Sequence, residues 1–219
     1  MKTKKTLFYG LMLLPLAIVL IALLFLPDEI PMHYNLSGQV DRWGSKYEML
    51  VFPALSVLYG GIMLGVAKYA AKHEESGQNN AQVCIVVGIM GNALFSAMTV
   101  FFLYAAFRQA GQRPSPSLDV YQIVFTILGL TMVVTGNLMP KLRKNALIGL
   151  RTPWSMKNEV TWKKSQRFGG ICFLLGGGAV ILSSLLTKGV SCLVWAMGIL
   201  LAVSAAAVFC SWMAARKWG

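Results

Sequence analysis

Long stretches without charged residues dominate the chain. Six segments contain no Asp, Glu, Lys or Arg, and each is 19 to 27 residues long: Leu7–Leu26, Met49–Ala67, Ala81–Phe107, Val120–Met139, Phe168–Thr187 and Gly189–Ala215. Roughly 20 helical residues, rising about 1.5 Å each, cross a hydrocarbon layer about 30 Å thick. A helix satisfies its own backbone groups, which lipid cannot do. The pattern predicts an all-α integral membrane protein with six transmembrane helices.

The first apolar segment needs to be distinguished from a cleavable signal peptide. Lys2, Lys4 and Lys5 give it a positive start. Its run of 20 residues exceeds the about 7–15 of a signal core, and no small residues follow it for cleavage. We expect a retained helix.

Composition agrees with a membrane protein. Hydrophobic residues make up 56% of the chain and charged residues 13%, against about 25% charged in soluble domains. Such a chain is too apolar to be disordered. The four cysteines all lie inside the apolar segments, which excludes a disulfide scaffold.

The distribution of Lys and Arg predicts the orientation. With six helices both termini share one side, and 15 of the 20 basic residues fall on that side. The positive-inside rule therefore predicts that both termini are cytoplasmic. Three acidic residues share that side, so the net charge of +12 belongs to it. We expect this charge to attract anionic membrane lipids, at about 1 kcal/mol per well-placed residue, and no direct binding to nucleic acid.

Small residues suggest how the helices pack. Gly61 and Gly65 form a G-x-x-x-G pair, and residues 176–178 are three consecutive glycines. Such surfaces let helix backbones approach closely in lipid. Only Lys188-Gly189 separates the last two segments, which predicts an antiparallel helical hairpin.

The apolar segments offer little chemistry for transport. None has an ionisable side chain near its middle, which argues against an ion-coupled pump. Asn92, Gln122 and Asn137 are expected to form hydrogen bonds between helices. The alternative is that these three residues line a path through the membrane.

Signatures of enzymes are also missing from the sequence. There is no G-x-S-x-G motif. His73-Glu74 begins like a zinc-binding H-E-x-x-H helix, but Gly77 stands where the second histidine is needed. We expect no enzymatic activity, no cofactor and no metal.

The first predicted outer loop, residues 27–48, has the composition of a folded segment. Two prolines restrict it, and Asn35-Leu36-Ser37-Gly38 supplies turn chemistry. One interpretation is an extracellular cap that recognises a ligand through His33, Asn35, Asp41 and Arg42. The other is an interfacial turn whose polar groups satisfy one another. A metal held by His33, Asp41 and Glu48 is a weaker third.

The large predicted cytoplasmic loop, residues 140–167, carries eight basic residues and one acid, Glu159. Thr152-Pro153 resembles a helix start, which predicts a helix running through Trp162 with Trp154 on the same face. This segment is either an interfacial helix on anionic lipid or a docking surface. In the docking interpretation, Arg151 offers its guanidinium to a carboxylate or phosphate.

Both loops resemble known family motifs. Ile30 to Gly38 is similar to the I-P-x-H-x-N-x-x-G segment of a small membrane domain of unknown function. Four pieces in the second half resemble the hallmark of the SdpI family: Gly136 to Lys141, Asn145 to Trp154, Trp162, and Arg167 to Gly170. Gln166 departs from the family pattern, which often has histidine there.

The resemblance implies a multi-pass protein of the bacterial cytoplasmic membrane that gives immunity to a secreted peptide toxin. It also implies a cytoplasmic repressor as a partner. Residues 1–80 would hold the first two helices and the structured outer loop 27–48, and residues 81–219 a four-helix SdpI-like region with the loop 140–167. The alternative function is a small transporter or lipid-handling protein.

The candidate site residues fall into two groups. The toxin-facing outer group is Pro31, His33, Asn35, Gly38, Asp41 and Arg42. The cytoplasmic group is Asn137, Pro140, Asn145, Gly149, Arg151, Thr152, Pro153, Trp154, Trp162 and Arg167.

Overall fold

The computed structural model describes residues 2–35, 39–73, 77–110, 119–145 and 147–219. Its helices are α1 (Lys2–Ala22), α2 (Val51–His73), α3 (Gly77–Ala110), α4 (Val120–Leu138), α5 (Glu159–Leu186) and α6 (Gly189–Trp218). Two strands, β1 (Glu29–Tyr34) and β2 (Val40–Ser45), and two 3₁₀ helices, Lys46–Leu50 and Met139–Lys141, complete the described elements. All six α-helices are long and apolar enough to cross a membrane. This confirms the all-α prediction, to which the structure adds a small hairpin.

The helices pack in two groups of three. Helices α1, α2 and α3 enclose a cluster around Phe8, Met12 and Ile89. Helices α4, α5 and α6 enclose a second cluster, which includes Phe125 and Val180. Contacts between α3 and α4 join the two groups.

Glycines let α4 and α5 approach closely. A Cβ on Gly136 would lie 2.6 Å from the carbonyl oxygen of Gly170, and a Cβ on Gly177 would lie 2.6 Å from that of Gly129. Both distances are shorter than real Cβ contacts, so only glycine fits. On each helix the two glycines are seven residues apart, or about two helical turns, so they lie on one face and form a continuous close contact.

The predicted G-x-x-x-G pair does not pack in this way. A Cβ on Gly61 or Gly65 would meet nothing within 4 Å. Helix α2 instead packs through the neighbouring face that carries Ser56 and Tyr59, which bond to α3. The expectation that Gly61 and Gly65 bring helices together is therefore wrong within the described chain.

One carboxylate fixes the start of two helices. Asp119 Oδ1 accepts hydrogen bonds from the backbone amides of Tyr121, at 2.8 Å, and Gln122, at 3.4 Å. Its Oδ2 accepts from the amide of Gly189, at 2.5 Å. Asp119 thus caps α4 and α6 together. Gln122 Nε2 of α4 donates to two carbonyls at the end of α5. Only residues 187 and 188 separate α5 from α6, and the two helices pack together as the predicted antiparallel hairpin.

Candidate functional site

The predicted outer loop folds into a β-hairpin. Strands β1 and β2 pair antiparallel, with Pro31 opposite Trp43. Asn35 closes the turn, because its amide donates to the carbonyl of Gln39, at 2.8 Å, and its Oδ1 accepts from the amide of Gln39, at 2.9 Å. Gly38 lies outside the described residues. The hairpin together with the 3₁₀ helix that follows it (residues 29–50) is named the hairpin cap below.

Apolar packing seats the hairpin cap on one end of the bundle. Ile30 and Pro31 are fully buried, and Ile30 packs with Met49 of the cap and Leu103 of α3. The ring of Tyr34 meets the edges of two phenylalanines of α3, Phe101 and Phe102. Burial raises the pKa of the Tyr34 hydroxyl above its ordinary value. Pro31 is therefore a packing residue that holds the cap in place.

The other side of the hairpin cap is polar and exposed. His33 Nδ1 lies 2.5 Å from Asp41 Oδ1, and Arg42 donates to Glu48 at 2.8 Å. Exposed pairs of this kind contribute at most about 1 kcal/mol. They satisfy one another, as the second interpretation of the loop expects, yet a ligand could open them at small cost.

The described residues of the hairpin cap do not gather into a metal-binding site. Glu48 is engaged by Arg42 and not gathered with His33 and Asp41. Within the described part of the chain, no three His, Cys, Asp or Glu side chains stand close enough to hold a metal ion.

The second candidate site is the segment between α4 and α5, residues 139–158, named the basic loop below. Its predicted helix from Thr152 is wrong, because residues 153–156 form turns and α5 begins at Glu159. Asn158 and Thr161 cap α5 reciprocally, through bonds of 2.8 and 3.1 Å. Thr152 Oγ1 instead accepts from the amide of Ser155, at 3.0 Å, in a local turn. Trp154 therefore lies before α5 and shares no helical face with Trp162.

Trp162 anchors the basic loop from inside. Its side chain is fully buried against Val83 of α3 and Leu142. Its Nε1 donates to the carbonyl of Leu142, at 2.9 Å. Asn145, also buried, shapes the next turn, since its Oδ1 accepts from the amides of Leu147 and Ile148, at 2.8 and 2.7 Å.

Helix α3 holds the loop from the side. Asn79 Nδ2 donates to the carbonyl of Lys141, at 2.5 Å, and Asn80 Oδ1 accepts from the amide of Arg143, at 3.3 Å. The contacts of Asn137 are different, because this side chain is exposed and no hydrogen bond joins it to the described part of the basic loop. Asn79 and Asn80 provide the tie that the sequence suggested for Asn137.

Gln166, which departs from the family pattern, is a site residue that was not among the candidates from the sequence. It is fully buried, its Nε2 donates to the carbonyl of Leu150, at 2.9 Å, and its Oε1 accepts from the amide of Leu150, at 3.0 Å. Gly149 has φ +103°, and a Cβ there would lie 2.8 Å from Gln166 Oε1. The motif glycine is therefore required both by its backbone conformation and by the amide beside it. The spacing from Trp162, four residues along one helix face, was a usable signal for Gln166.

A hydroxyl cluster fastens the loop to α6. Thr152 Oγ1 lies 2.5 Å from Ser211 Oγ of α6, and Ser165 donates to Ser211 at 3.3 Å. Ser155 is fully buried and donates to the carbonyl of Leu150, at 2.8 Å. Ser155, Ser165 and Ser211 could not be found from the sequence, because a single serine in a loop or a helix carries no distinctive pattern.

The basic side chains of this region face outward. Arg151, Pro153 and Arg167 are exposed, as is Pro140, whereas Trp154 is half-buried. The exposed cations of the loop and the start of α5 are Lys141, Arg143, Arg151, Lys157, Lys163 and Arg167. The motif thus combines a buried scaffold with an exposed cationic surface.

Helix α3 contacts both candidate sites. Asn79, Asn80 and Val83 meet the basic loop, whereas Leu103 meets the hairpin cap. Residues 80 and 103 are separated by about 35 Å along a helix that rises about 1.5 Å per residue. The two sites therefore lie at opposite ends of α3.

The three polar residues of the alternative path do not converge. Asn92 is buried and accepts from Ser56 in the first helix group. Gln122 bonds to the end of α5, and Asn137 lies at the other end of α4. Asn92 and Gln122 therefore make separate contacts between helices, as expected, whereas the exposed Asn137 makes no such bond to the described residues. The arrangement does not favour a common path.

Comparisons with known proteins match both halves of the chain. Residues 141–212 match the SdpI/YfhL protein family, and residues 10–57 match a domain of unknown function, DUF1648. The chain is 22% identical to Immunity protein SdpI of Bacillus subtilis (strain 168) over 82% of this chain and 80% of that protein. It is 35% identical to an uncharacterized protein of Archaeoglobus fulgidus over 27% of this chain and 37% of that protein. No solved structure matches. The family match over residues 141–212, with a relative that spans most of the chain, supports SdpI-family membership for this multi-pass membrane protein.

Proposed function

We propose that this chain protects a bacterial cell against a secreted peptide toxin. The observation that carries the proposal is its similarity to Immunity protein SdpI over 82% of the chain. The two family matches, over residues 10–57 and 141–212, cover the hairpin cap and most of the basic loop. An immunity protein needs an element that meets the toxin outside the membrane. The hairpin cap suits this role because its polar face is exposed and its apolar face is already seated on the helices.

In this proposal the toxin binds the outward face of the hairpin cap. His33, Asp41 and Arg42 offer charges of both signs, and Trp43 adds an aromatic side chain that is 53% exposed. The exposed ion pairs of these side chains are weak, so contacts with the peptide replace them at a small cost in free energy. Pro31 and Asn35 act indirectly, by holding the strands in register.

The basic loop is the proposed docking surface for a cytoplasmic repressor. Its exposed cations surround a scaffold held by Asn145, Trp162 and Gln166. Arg151 presents a planar guanidinium that suits a carboxylate. Helix α3 links the two surfaces. Toxin changes the basic loop only if α3 has two arrangements and toxin binds one of them with higher affinity than the other.

Survival of a toxin-sensitive strain tests this function. Cells expressing the full chain are challenged with the cognate peptide, and membrane abundance is measured by immunoblot. We expect the chain to restore growth, and His33→Ala and Arg151→Ala to reduce protection at unchanged abundance. Lys188→Ala is the control, because Lys188 is exposed and lies outside both surfaces.

Two results would count against the proposal. Unchanged killing, with the protein present in the membrane, removes the immunity function. If Arg151→Ala lowers abundance in proportion to protection, Arg151 has a structural role and the docking surface is wrong.

A further inference from the structure

A cavity of about 520 Å³ opens where three helices end together. It lies between the start of α1, the end of α2 and the start of α3. Neither the hairpin cap nor the basic loop contributes to its lining. The volume lies within the range of about 300–1,000 Å³ that is usual for small-molecule sites.

The cavity is lined mainly by lysines and apolar side chains. Lys4, Lys5 and Lys68 stand at the cavity, whereas Leu64 and Ile85 form part of its apolar wall. Two amide side chains, Gln78 and Gln82, add hydrogen-bond donors. No Asp or Glu of the described residues lines it; Glu74 and Glu75 lie outside those residues. A cavity that combines lysines with an apolar wall suits an amphiphilic ligand with an anionic headgroup.

The positions of two of these lysines are unfavourable for the helix itself. Lys4 and Lys5 lie near the amino end of α1, where the helix dipole is positive and an acidic residue would be stabilising. Helix α3 also begins beside the cavity without an acidic residue in its first turn. Among the described residues, none of the three cavity lysines is in an ion pair. A bound anion would compensate this concentration of positive charge.

The location favours a lipid over a soluble anion. The apolar spans of α1, α2 and α3 begin or end at Thr3, Lys72 and Gly77, so the cavity stands at the boundary between hydrocarbon and water. The same helices carry exposed apolar side chains within their spans, including Leu7 of α1 and Ile62 of α2. Acyl chains would follow this surface while the phosphate meets the lysines.

We propose that this cavity binds the headgroup of an anionic phospholipid, with its phosphate at Lys4, Lys5 and Lys68 and its acyl chains along the apolar surface. The site does not depend on the immunity function. Under the predicted orientation it takes lipid from the cytoplasmic leaflet.

Lipid binding to the purified full-length protein tests the proposal. Native mass spectrometry measures the dissociation constants of phosphatidylglycerol and phosphatidylcholine. We expect a preference of ~10-fold or more for phosphatidylglycerol, and Lys4→Gln/Lys5→Gln/Lys68→Gln to weaken its binding ~10-fold or more.

The charge control removes three exposed lysines beside α5 and α6, in the other helix group, Lys157→Gln/Lys163→Gln/Lys217→Gln. We expect it to weaken binding less than ~3-fold, since distant surface charges are screened. An equal loss in both triple variants would reduce the effect to general charge attraction and overturn the site.

A second variant fills the cavity without changing its charge. Ala81→Leu places a larger side chain in the lining, whereas Ala202→Leu adds the same bulk on an exposed face of α6. We expect only Ala81→Leu to reduce phosphatidylglycerol binding. Unchanged binding in Ala81→Leu, or full competition by glycerol 1-phosphate, would contradict a lipid in this cavity.

Discussion

Replacement of Gln166 by alanine is the sharpest test of how the basic loop is held. The side chain is fully buried, and its amide satisfies both the N–H and the C=O of Leu150. Alanine removes both bonds. The carbonyl keeps the hydrogen bond from Ser155, whereas the N–H loses the partner that Gln166 provides.

The loss of these two hydrogen bonds sets how much the closed basic loop is destabilised. An orphaned N–H costs about 1–3 kcal/mol, and the loss of one of two bonds at the carbonyl about 1 kcal/mol. The sum, about 2–4 kcal/mol, corresponds to a ~30- to ~1,000-fold higher population of the open loop at about 1.4 kcal/mol per decade.

Hydrogen exchange of the full chain in lipid nanodiscs measures this opening. In Gln166→Ala we expect protection of the peptide that covers residues 147–152 to fall by that factor, with little change in α1. Gln82→Ala is the matched control, because Gln82 is exposed on α3. Unchanged protection at Leu150 in Gln166→Ala would refute the role assigned to this amide.

Two further variants test the helix contacts by their free energy of unfolding in detergent. Asp119→Ala removes the shared cap of α4 and α6, so we expect a loss of about 2 kcal/mol, against less than about 0.5 kcal/mol for the exposed Asp28→Ala. An equal effect of both would rule out the shared cap. Gly170→Leu forces a side chain against the carbonyl of Gly136 and should cost about 3 kcal/mol, whereas Gly198→Leu, which meets open space, should be tolerated. Equal stability of these two variants would contradict the close contact of α4 and α5.

The six helices could be predicted from the sequence, because their signal is the local pattern of charged and apolar residues. The charge-free segment Ala81–Phe107 predicts α3, but the helix extends to Gly77–Ala110. Polar residues in its first turn, such as Asn79 and Asn80, remain helical because they bond to the basic loop. Such partners, more than 60 residues away, are invisible to a local pattern.

The basic loop shows where local signals compete. Thr152-Pro153 and Asn158-x-x-Thr161 are both helix-start patterns, and sequence analysis chose the first. In the structure Thr152 is engaged by Ser155 and Ser211, so the later pair begins α5. The hairpin cap was foreseen as a folded segment, but its strands depend on the burial of Ile30 against α3, which is a tertiary contact.

The central claim is that the hairpin cap and the basic loop face opposite sides of the membrane. Single cysteines at the exposed positions Glu29 and Lys157, in a chain whose four native cysteines are replaced by serine, report the side of each site. With a membrane-impermeant maleimide, Glu29→Cys should be labelled in intact cells, and Lys157→Cys only after permeabilisation. Labelling of both positions in intact cells would contradict the proposed coupling between toxin outside and repressor inside.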